Sequence, residues 1–294
     1  MSEFGGPILF ALFLWWSSTG AVLYLVGLPH WTFRWSMAGA TALAAGSLVG
    51  LIALADTVTP WSAYLGFACG LGLWAWHETS FLFGFVTGPR RLAVSHDAGG
   101  WRRFRDALGT LVYHEVAILV TAVALAWLLW DAPNQVGLWA FLLLWIMRLS
   151  AKLNIFLGVP NMNEEFLPKH LGFLRSYFRK RAMNALFPLS VTVGTLAFLW
   201  LLRRGFAFEA SAFEAAACLM LAAMLALAVL EHWFLVLPVP DAALWRWAMP
   251  AAREDRGEAS TQRPRRGDDP DTSRRVTPPP LVTAAGPLRK RPST

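Results

Sequence analysis

Apolar residues in this chain gather into seven long runs, near 7–28, 35–56, 61–86, 108–130, 136–157, 185–202 and 212–237. A helix needs about 20 such residues to cross a bilayer, and each run approaches or exceeds that length. None alternates with a period of two, so the pattern predicts helices rather than strands. Lipid admits only helices or closed barrels, because every backbone group must be paired internally. The expected fold is therefore an all-α polytopic membrane bundle of about seven transmembrane helices over residues 1–240. The first run is not expected to be a cleaved signal peptide, since its Met-Ser-Glu leader is acidic and the run is too long.

The segments between the runs add two features. In 158–184, Glu164 and Glu165 precede Pro168, a residue suited to a first helical turn. Leu167, Leu171, Leu174 and Phe178 then recur at three- and four-residue spacing opposite Lys169, Arg175 and Arg179. This predicts an amphipathic helix lying in the cytoplasmic interface, either as a plain basic surface helix or as a docking face for a partner. Residues 251–294 hold seven prolines and almost no large apolar side chains. Such a tail is expected to be disordered, because it buries too little surface to offset the entropy of ordering.

Composition agrees with a membrane protein. The 294 residues are 56% hydrophobic and only 15% charged, with 16 Trp and 20 Phe; a soluble domain carries roughly 25% charged residues. This excludes a soluble enzyme and a disulfide scaffold. The two cysteines, Cys69 and Cys218, sit in apolar runs and form no CxxC pair.

The net charge of +7 would suggest nucleic acid until the charges are located. The tail 251–294 holds ten of the 26 Lys+Arg and six of the 19 Asp+Glu, and the rest lie mostly in loops. That is the distribution of a membrane protein, so lipid and not nucleic acid is the expected partner. Arg90, Arg91, Arg102, Arg103 and Arg105 crowd the 87–107 loop, and Lys169, Arg175, Arg179, Lys180 and Arg181 the 158–184 loop. With seven crossings, these place the N-terminus outside and the tail in the cytoplasm; Arg203 and Arg204 dissent. Trp31, Trp35, Trp61, Trp101, Trp130, Trp139 and Trp233 fall near segment ends, as an interfacial belt requires. Gly46/Gly50 and Gly66/Gly70 are GxxxG pairs, expected to serve packing within the chain.

The candidate chemistry lies in ionisable residues inside the runs: His77 and Glu78, His114 and Glu115, Arg148 and Lys152, Glu231 and His232. Each charge at such a position costs at least about 2.5 kcal/mol, so the set is expected to face inward and compensate itself. At 1.5 Å per residue, all four sets fall within about 10 Å of their helix middles and on one side of the bilayer. They are expected to form one polar layer.

Three uses of the layer follow. It could be a buried ion-pair network that fixes helix register. It could grip the polar head of an apolar molecule such as a tetrapyrrole or a quinone, a His serving as axial ligand in the first case. It could be a proton or solute path, although no pair of helices is broken by Gly or Pro at its centre. A di-iron centre is disfavoured, because its Glu-x-x-His motif puts both residues on one face, whereas here Glu and His are adjacent, about 100° apart. GxSxG, P-loop, GxGxxG and HExxH motifs are absent, so no catalytic residue is expected, nor any metal ligand set.

A longer pattern runs through the same region. It comprises Arg148-Leu-Ser-Ala-Lys152-Leu-Asn154-Ile-Phe-Leu-Gly158-Val-Pro-Asn161, then Glu165-Phe-Leu-Pro168, His170-Leu, Ser176-Tyr-Phe and Met183-Asn184-Ala-Leu-Phe-Pro188. Upstream stand Trp76-His-Glu78-Thr-Ser-Phe, Thr87-Gly-Pro-Arg90 and Tyr113-His-Glu115. Together these resemble the PuhE-type photosynthetic complex assembly proteins of purple bacteria. The resemblance covers most of residues 1–240, is most specific over about 72–190, and leaves out the tail. It implies an inner-membrane factor that assists assembly of reaction-centre and light-harvesting complexes or controls bacteriochlorophyll supply. Its partners would be those complexes or bacteriochlorophyll-pathway proteins. The alternative from another class is a quinol- or haem-interacting subunit of a membrane oxidoreductase, resting on the same His/Glu/Arg/Lys layer.

Overall fold

The computed structural model describes residues 2–95, 99–162 and 167–238. Glu164, Glu165 and the tail expected to be disordered lie outside the described residues. Among these described residues eight α-helices carry the fold: α1 (Ser2–Val26), α2 (Phe33–Leu54), α3 (Pro60–Leu82), α4 (Gly100–Leu108), α5 (Val112–Leu128), α6 (Val136–Leu157), α7 (Leu186–Gly205) and α8 (Ala212–Phe234). Among the described residues the only β feature is an isolated bridge between Val159 and Lys180.

Each apolar run contains one of these helices. Five described segments are long and apolar enough to cross a membrane: Phe4–Val26, His30–Leu54, Val136–Leu157, Leu186–Gly205 and Ala212–Phe234. Counting the bent pair α4–α5, which turns by 64°, makes six. The seventh expected span, α3, has 23 residues but lower apolarity, because it carries His77, Glu78 and three glycines. Its neighbours shield it instead. One core cluster joins Ala11 of α1, Phe67 and Leu71 of α3, Ala140 of α6 and Met220 and Met224 of α8. A second joins Leu51, Leu73, Ile118, Leu125 and Phe141 from α2, α3, α5 and α6.

Local sequence explains the helix starts. Thr59 Oγ1 caps α3 by accepting from Ser62 N, Ser62 Oγ accepts from Thr59 N in return, and Pro60 takes the first helical position. Ser211 caps α8 by accepting from Glu214 N at 3.2 Å. Asn184 accepts from Leu186 N and Phe187 N at the start of α7, and its amide donates to Asn154 O and Gly158 O at the end of α6. One side chain thus closes both helix ends.

Small residues set the closest approach. A Cβ on Gly70 would lie 2.5 Å from Gly137 O, and one on Gly137 would lie 2.6 Å from Gly66 O. The Gly66/Gly70 pair therefore packs α3 against α6 within the chain, as expected of it. The seven Trp residues assigned to the interfacial belt are all exposed.

Two segments between the runs differ from the sequence expectation. The 87–107 stretch, read as a loop, contains the amphipathic helix α4. Lys169–Tyr177 is helical as expected, but 3₁₀ rather than α. Its buried residues are Leu171, Leu174 and Tyr177, spaced by three, which lines up one face of a helix with three residues per turn. That face packs on Phe81 and Leu82 at the end of α3, so the segment caps the bundle.

Arginines staple the cap. Arg103, on α4, donates to Phe156 O at 3.3 Å and to Tyr177 O, and stacks on the Phe156 ring at 4.2 Å. Arg90 Nε donates to the Tyr177 hydroxyl at 2.9 Å, and that hydroxyl donates to Leu92 O.

Candidate functional site

Six of the eight ionisable residues singled out in the sequence meet where α3, α5 and α6 come together. Lys152 Nζ lies 2.8 Å from Glu115 Oε1. Trp145 Nε1 donates to the other oxygen, Glu115 Oε2, at 3.1 Å. Arg148 donates to Glu78 Oε2 at 3.3 Å. Residues 148 and 152 are four apart and so project from one face of α6, which lets the helix present one cation to each neighbouring carboxylate. Lys152 Nζ also stands 5.5 Å from the centre of the Phe81 ring.

Two histidines fill the space between the pairs. The rings of His77 and His114 are 6.5 Å apart, and Phe81 lies 4.6 Å from His114. His77 Nε2 bonds the Thr121 hydroxyl at 3.0 Å. His114 is 0% exposed, yet neither ring nitrogen has a hydrogen-bond partner, and His77 Nδ1 and Glu78 Oε1 are likewise buried and unpartnered. A buried polar atom without a partner costs about 1–3 kcal/mol. The cluster therefore holds unspent hydrogen-bonding capacity at its centre. His114 is held there through its backbone, its N–H donating to Thr87 O at 3.0 Å. Thr87 can come this close because Gly88 has no side chain; a Cβ there would lie 2.3 Å from Gly109 O.

The remaining two residues sit elsewhere. Glu231 is exposed near the end of α8, within electrostatic reach of Arg148. His232 is 1% exposed and belongs to a second polar group between α6, α7 and α8. Its Nε2 lies 2.9 Å from Ser150 Oγ, its Nδ1 lies 2.8 Å from Ala228 O, and Ser150 Oγ lies 2.9 Å from Ser190 Oγ. Asn154 Nδ2 donates to Ser190 Oγ at 3.2 Å. Positions 150 and 154 are offset by two residues from 148 and 152. Two residues is about 200° of helix, so this group occupies the opposite face of α6.

The single layer expected from helix depths is thus two clusters sharing one helix. Depth along each axis was readable from the sequence, but the facing direction was not. Thr121, Trp145, Ser150 and Ser190 were not singled out in the sequence, and Asn154 entered only as part of the stretch that carries the family resemblance; the signal for Ser150 and Asn154 is their i, i+4 polar spacing in an otherwise apolar helix.

Arg148 departs from the expectation of inward-facing charge. Its side chain is 46% exposed, while its partner Glu78 is 13% exposed. At 1.5 Å per residue it stands about 2 Å past the middle of α6. Part of the guanidinium is thus accessible beside the ion pair, close to the middle of the helix. Among the described residues no group of three or more His, Cys, Asp or Glu is arranged to hold a metal ion.

These features define a multi-pass helical membrane protein with charge-compensated polar clusters inside its bundle. The chain belongs to the DUF3623 family, whose model, described as "Protein of unknown function (DUF3623)", matches residues 1–256. It is 39% identical over 251 residues to an uncharacterized 30.4 kDa protein in the puhA 5' region of Rhodobacter capsulatus, covering 84% of this chain and 91% of the relative. No solved structure matches the chain.

Proposed function

We propose that this protein is a PuhE-type accessory factor of the photosynthetic apparatus. It assists assembly of reaction-centre or light-harvesting complexes, or bacteriochlorophyll supply, by holding a membrane partner or a pigment precursor. The observation that carries the reading is the α3–α5–α6 cluster, with Arg148 half-exposed beside Glu78 and with unpartnered imidazole and carboxylate atoms buried behind it. A buried polar atom without a partner costs about 1–3 kcal/mol. A partner or tetrapyrrole that offers these atoms a polar group offsets that cost, so the cluster favours the occupied state. The puhA neighbourhood of the relative supports the photosynthetic setting.

In this reading the binding residues are His77, Glu78, His114, Glu115, Arg148 and Lys152, with Glu231 and His232 flanking. The protein resides in the inner, intracytoplasmic membrane of a phototroph. Its N-terminus is periplasmic and its tail cytoplasmic, which puts the arginine-rich cap against the cytoplasmic face as the loop charges favour.

Deleting the gene in a phototrophic host tests the proposal. Bacteriochlorophyll content and reaction-centre level are expected to fall under phototrophic growth, and Arg148→Met is expected to fail to restore them while accumulating in the membrane. Unchanged pigment and reaction-centre levels in the deletion strain would refute the reading.

A further inference from the structure

Helix α4 buries an arginine and exposes its tryptophan. Arg103 is 7% exposed, and Phe156 O and Tyr177 O accept from it inside the protein. Trp101 and Leu108 are 74% and 42% exposed. At about 100° per residue, the side chains fall into three sectors. Arg103 and Asp106 face the protein, Asp106 lying 3.5 Å from Arg90. Trp101, Phe104 and Leu108 form an apolar edge, the first two rings 5.3 Å apart. Arg102 and Arg105 fill the third sector and are exposed.

Phe104 meets Phe156 at 5.8 Å, whereas Trp101 and Leu108 turn away from the protein. The bend of the chain indicates what they meet. Helix α4 makes an angle of 64° with α5. With α5 along the bilayer normal, its 17 residues rise about 26 Å, and the nine of α4 add only about 6 Å at that angle. Together they match a hydrocarbon core of about 30 Å. Trp130, 74% exposed just past the far end of α5, marks the opposite boundary. Helix α4 therefore lies near the membrane plane, at the depth where acyl chains give way to headgroups. The Lys169–Tyr177 segment, assigned to that place by its sequence pattern, does not take it, because its leucines pack on α3.

The charge around α4 narrows the lipid. Among the described residues, no carboxylate pairs with Arg102 or Arg105. Exposed Arg179 and Arg181 stand within electrostatic reach of Arg103, so the surface beside the helix is cationic too. A guanidinium fork matches a phosphate. A zwitterionic lipid brings its own cation to such a surface. An anionic lipid brings net negative charge, a gain of about fivefold in affinity per arginine.

We propose that α4 is an interfacial helix that selects anionic phospholipid: Trp101 and Leu108 enter the acyl boundary, and Arg102 and Arg105 hold the lipid phosphate. The site uses none of the residues of the α3–α5–α6 cluster. The proposal depends neither on the photosynthetic reading nor on which side of the membrane the cap faces.

The test is photolabelling of the purified full-length protein in nanodiscs made of equal parts phosphatidylglycerol and phosphatidylcholine, with labelled sites mapped by mass spectrometry. Each lipid in turn carries a diazirine near the glycerol end of one acyl chain. Both should label Trp101 and Leu108. The ratio of phosphatidylglycerol to phosphatidylcholine label there should exceed that at Trp130 by about fivefold or more. Arg102→Gln/Arg105→Gln should bring the ratio down to the Trp130 value. Arg102→Lys/Arg105→Lys should retain most of it, which separates charge from folding. Arg34→Gln/Lys169→Gln removes equal charge from exposed positions at the same end of the bundle and should leave the ratio unchanged. Absence of lipid label at Trp101 and Leu108 overturns the interfacial placement. A ratio at α4 equal to that at Trp130, unmoved by the glutamine pair, or lowered as far by the Arg34/Lys169 pair, overturns the selection of anionic lipid by these two arginines.

Discussion

Lys152 and Glu115 form an ion pair of 2.8 Å between α6 and α5, with side chains only 20% and 14% exposed. Removing one partner strands a charge in a site that water reaches poorly. Lys152→Met is expected to destabilise the protein by about 3–5 kcal/mol, as for other broken buried pairs. The double variant Glu115→Gln/Lys152→Met should cost less than the sum of its single changes. Reversible unfolding in mixed detergent, followed by circular dichroism, measures both; simple additivity would show that the pair is not energetically coupled.

His114 makes the opposite kind of prediction. Both of its ring nitrogens are buried and unpartnered, so the imidazole is a burden on the fold. His114→Leu is expected to leave stability unchanged or raise it by about 1–3 kcal/mol, the burden of an unsatisfied buried group, while abolishing complementation of a deletion strain. A variant that is both less stable and functional would make His114 purely structural.

The two clusters flank α6 without sharing a hydrogen bond among the described residues. His232→Ala and Glu78→Gln should therefore add to within about 0.5 kcal/mol. Glu78→Gln and Arg148→Met share one contact and should not add. Double-mutant cycles on the same unfolding assay decide this, and strong coupling between His232 and Glu78 would reinstate a single layer.

The cap should loosen in acid. His170 Nε2 donates to Leu82 O at 2.9 Å. Burial lowers the His170 pKa from its usual value near 6.5, with His30 and Arg91 adding to the effect against the raising influence of the Leu82 bond. The free segment therefore binds a proton more readily than the docked one. Docking is strongest above about pH 6.5 and weakens as pH falls below it. Hydrogen exchange of Lys169–Tyr177, corrected for intrinsic rates, should show this loss of protection between about pH 7 and pH 5. His170→Gln should flatten the profile. Because the ring is half-exposed the effect should be modest, and a rise in protection toward acid would contradict it.

Arg103 should resist conservative replacement. Its guanidinium donates to two carbonyls and stacks on Phe156 at once, and a lysine ammonium cannot reproduce that fork. Arg103→Lys is expected to speed proteolysis within Lys169–Tyr177 nearly as much as Arg103→Ala does.

Much of the fold was legible in the sequence because lipid imposes so strong a rule. Long apolar runs had to become helices, and each run contains one. The short elements were harder. Helix α4 has nine residues, and its Trp101, Phe104 and Leu108 are too few to stand out among arginines. In the cap, Leu171, Leu174 and Tyr177 are spaced by three, but Phe178 also fitted an α-helical stripe, so periodicity alone favoured the wrong helix type. For the site, residue types and depths were readable, since His, Glu, Arg and Lys inside apolar runs demand an explanation. Which carboxylate meets which cation was not, because that depends on helix order. His232 was grouped with the others on depth, and only the two-residue offset between Ser150 and Arg148 reveals that it belongs behind α6.

That shared helix has a mechanical consequence. With 22 residues α6 is a stiff rod about 33 Å long, gripped on one flank by carboxylates and on the other by the Ser150 and Asn154 contacts to Ser190. A tilt of that rod moves Arg148 and Lys152 against their counter-charges and Ser150 and Asn154 against α7 together, so the helix is braced from both sides.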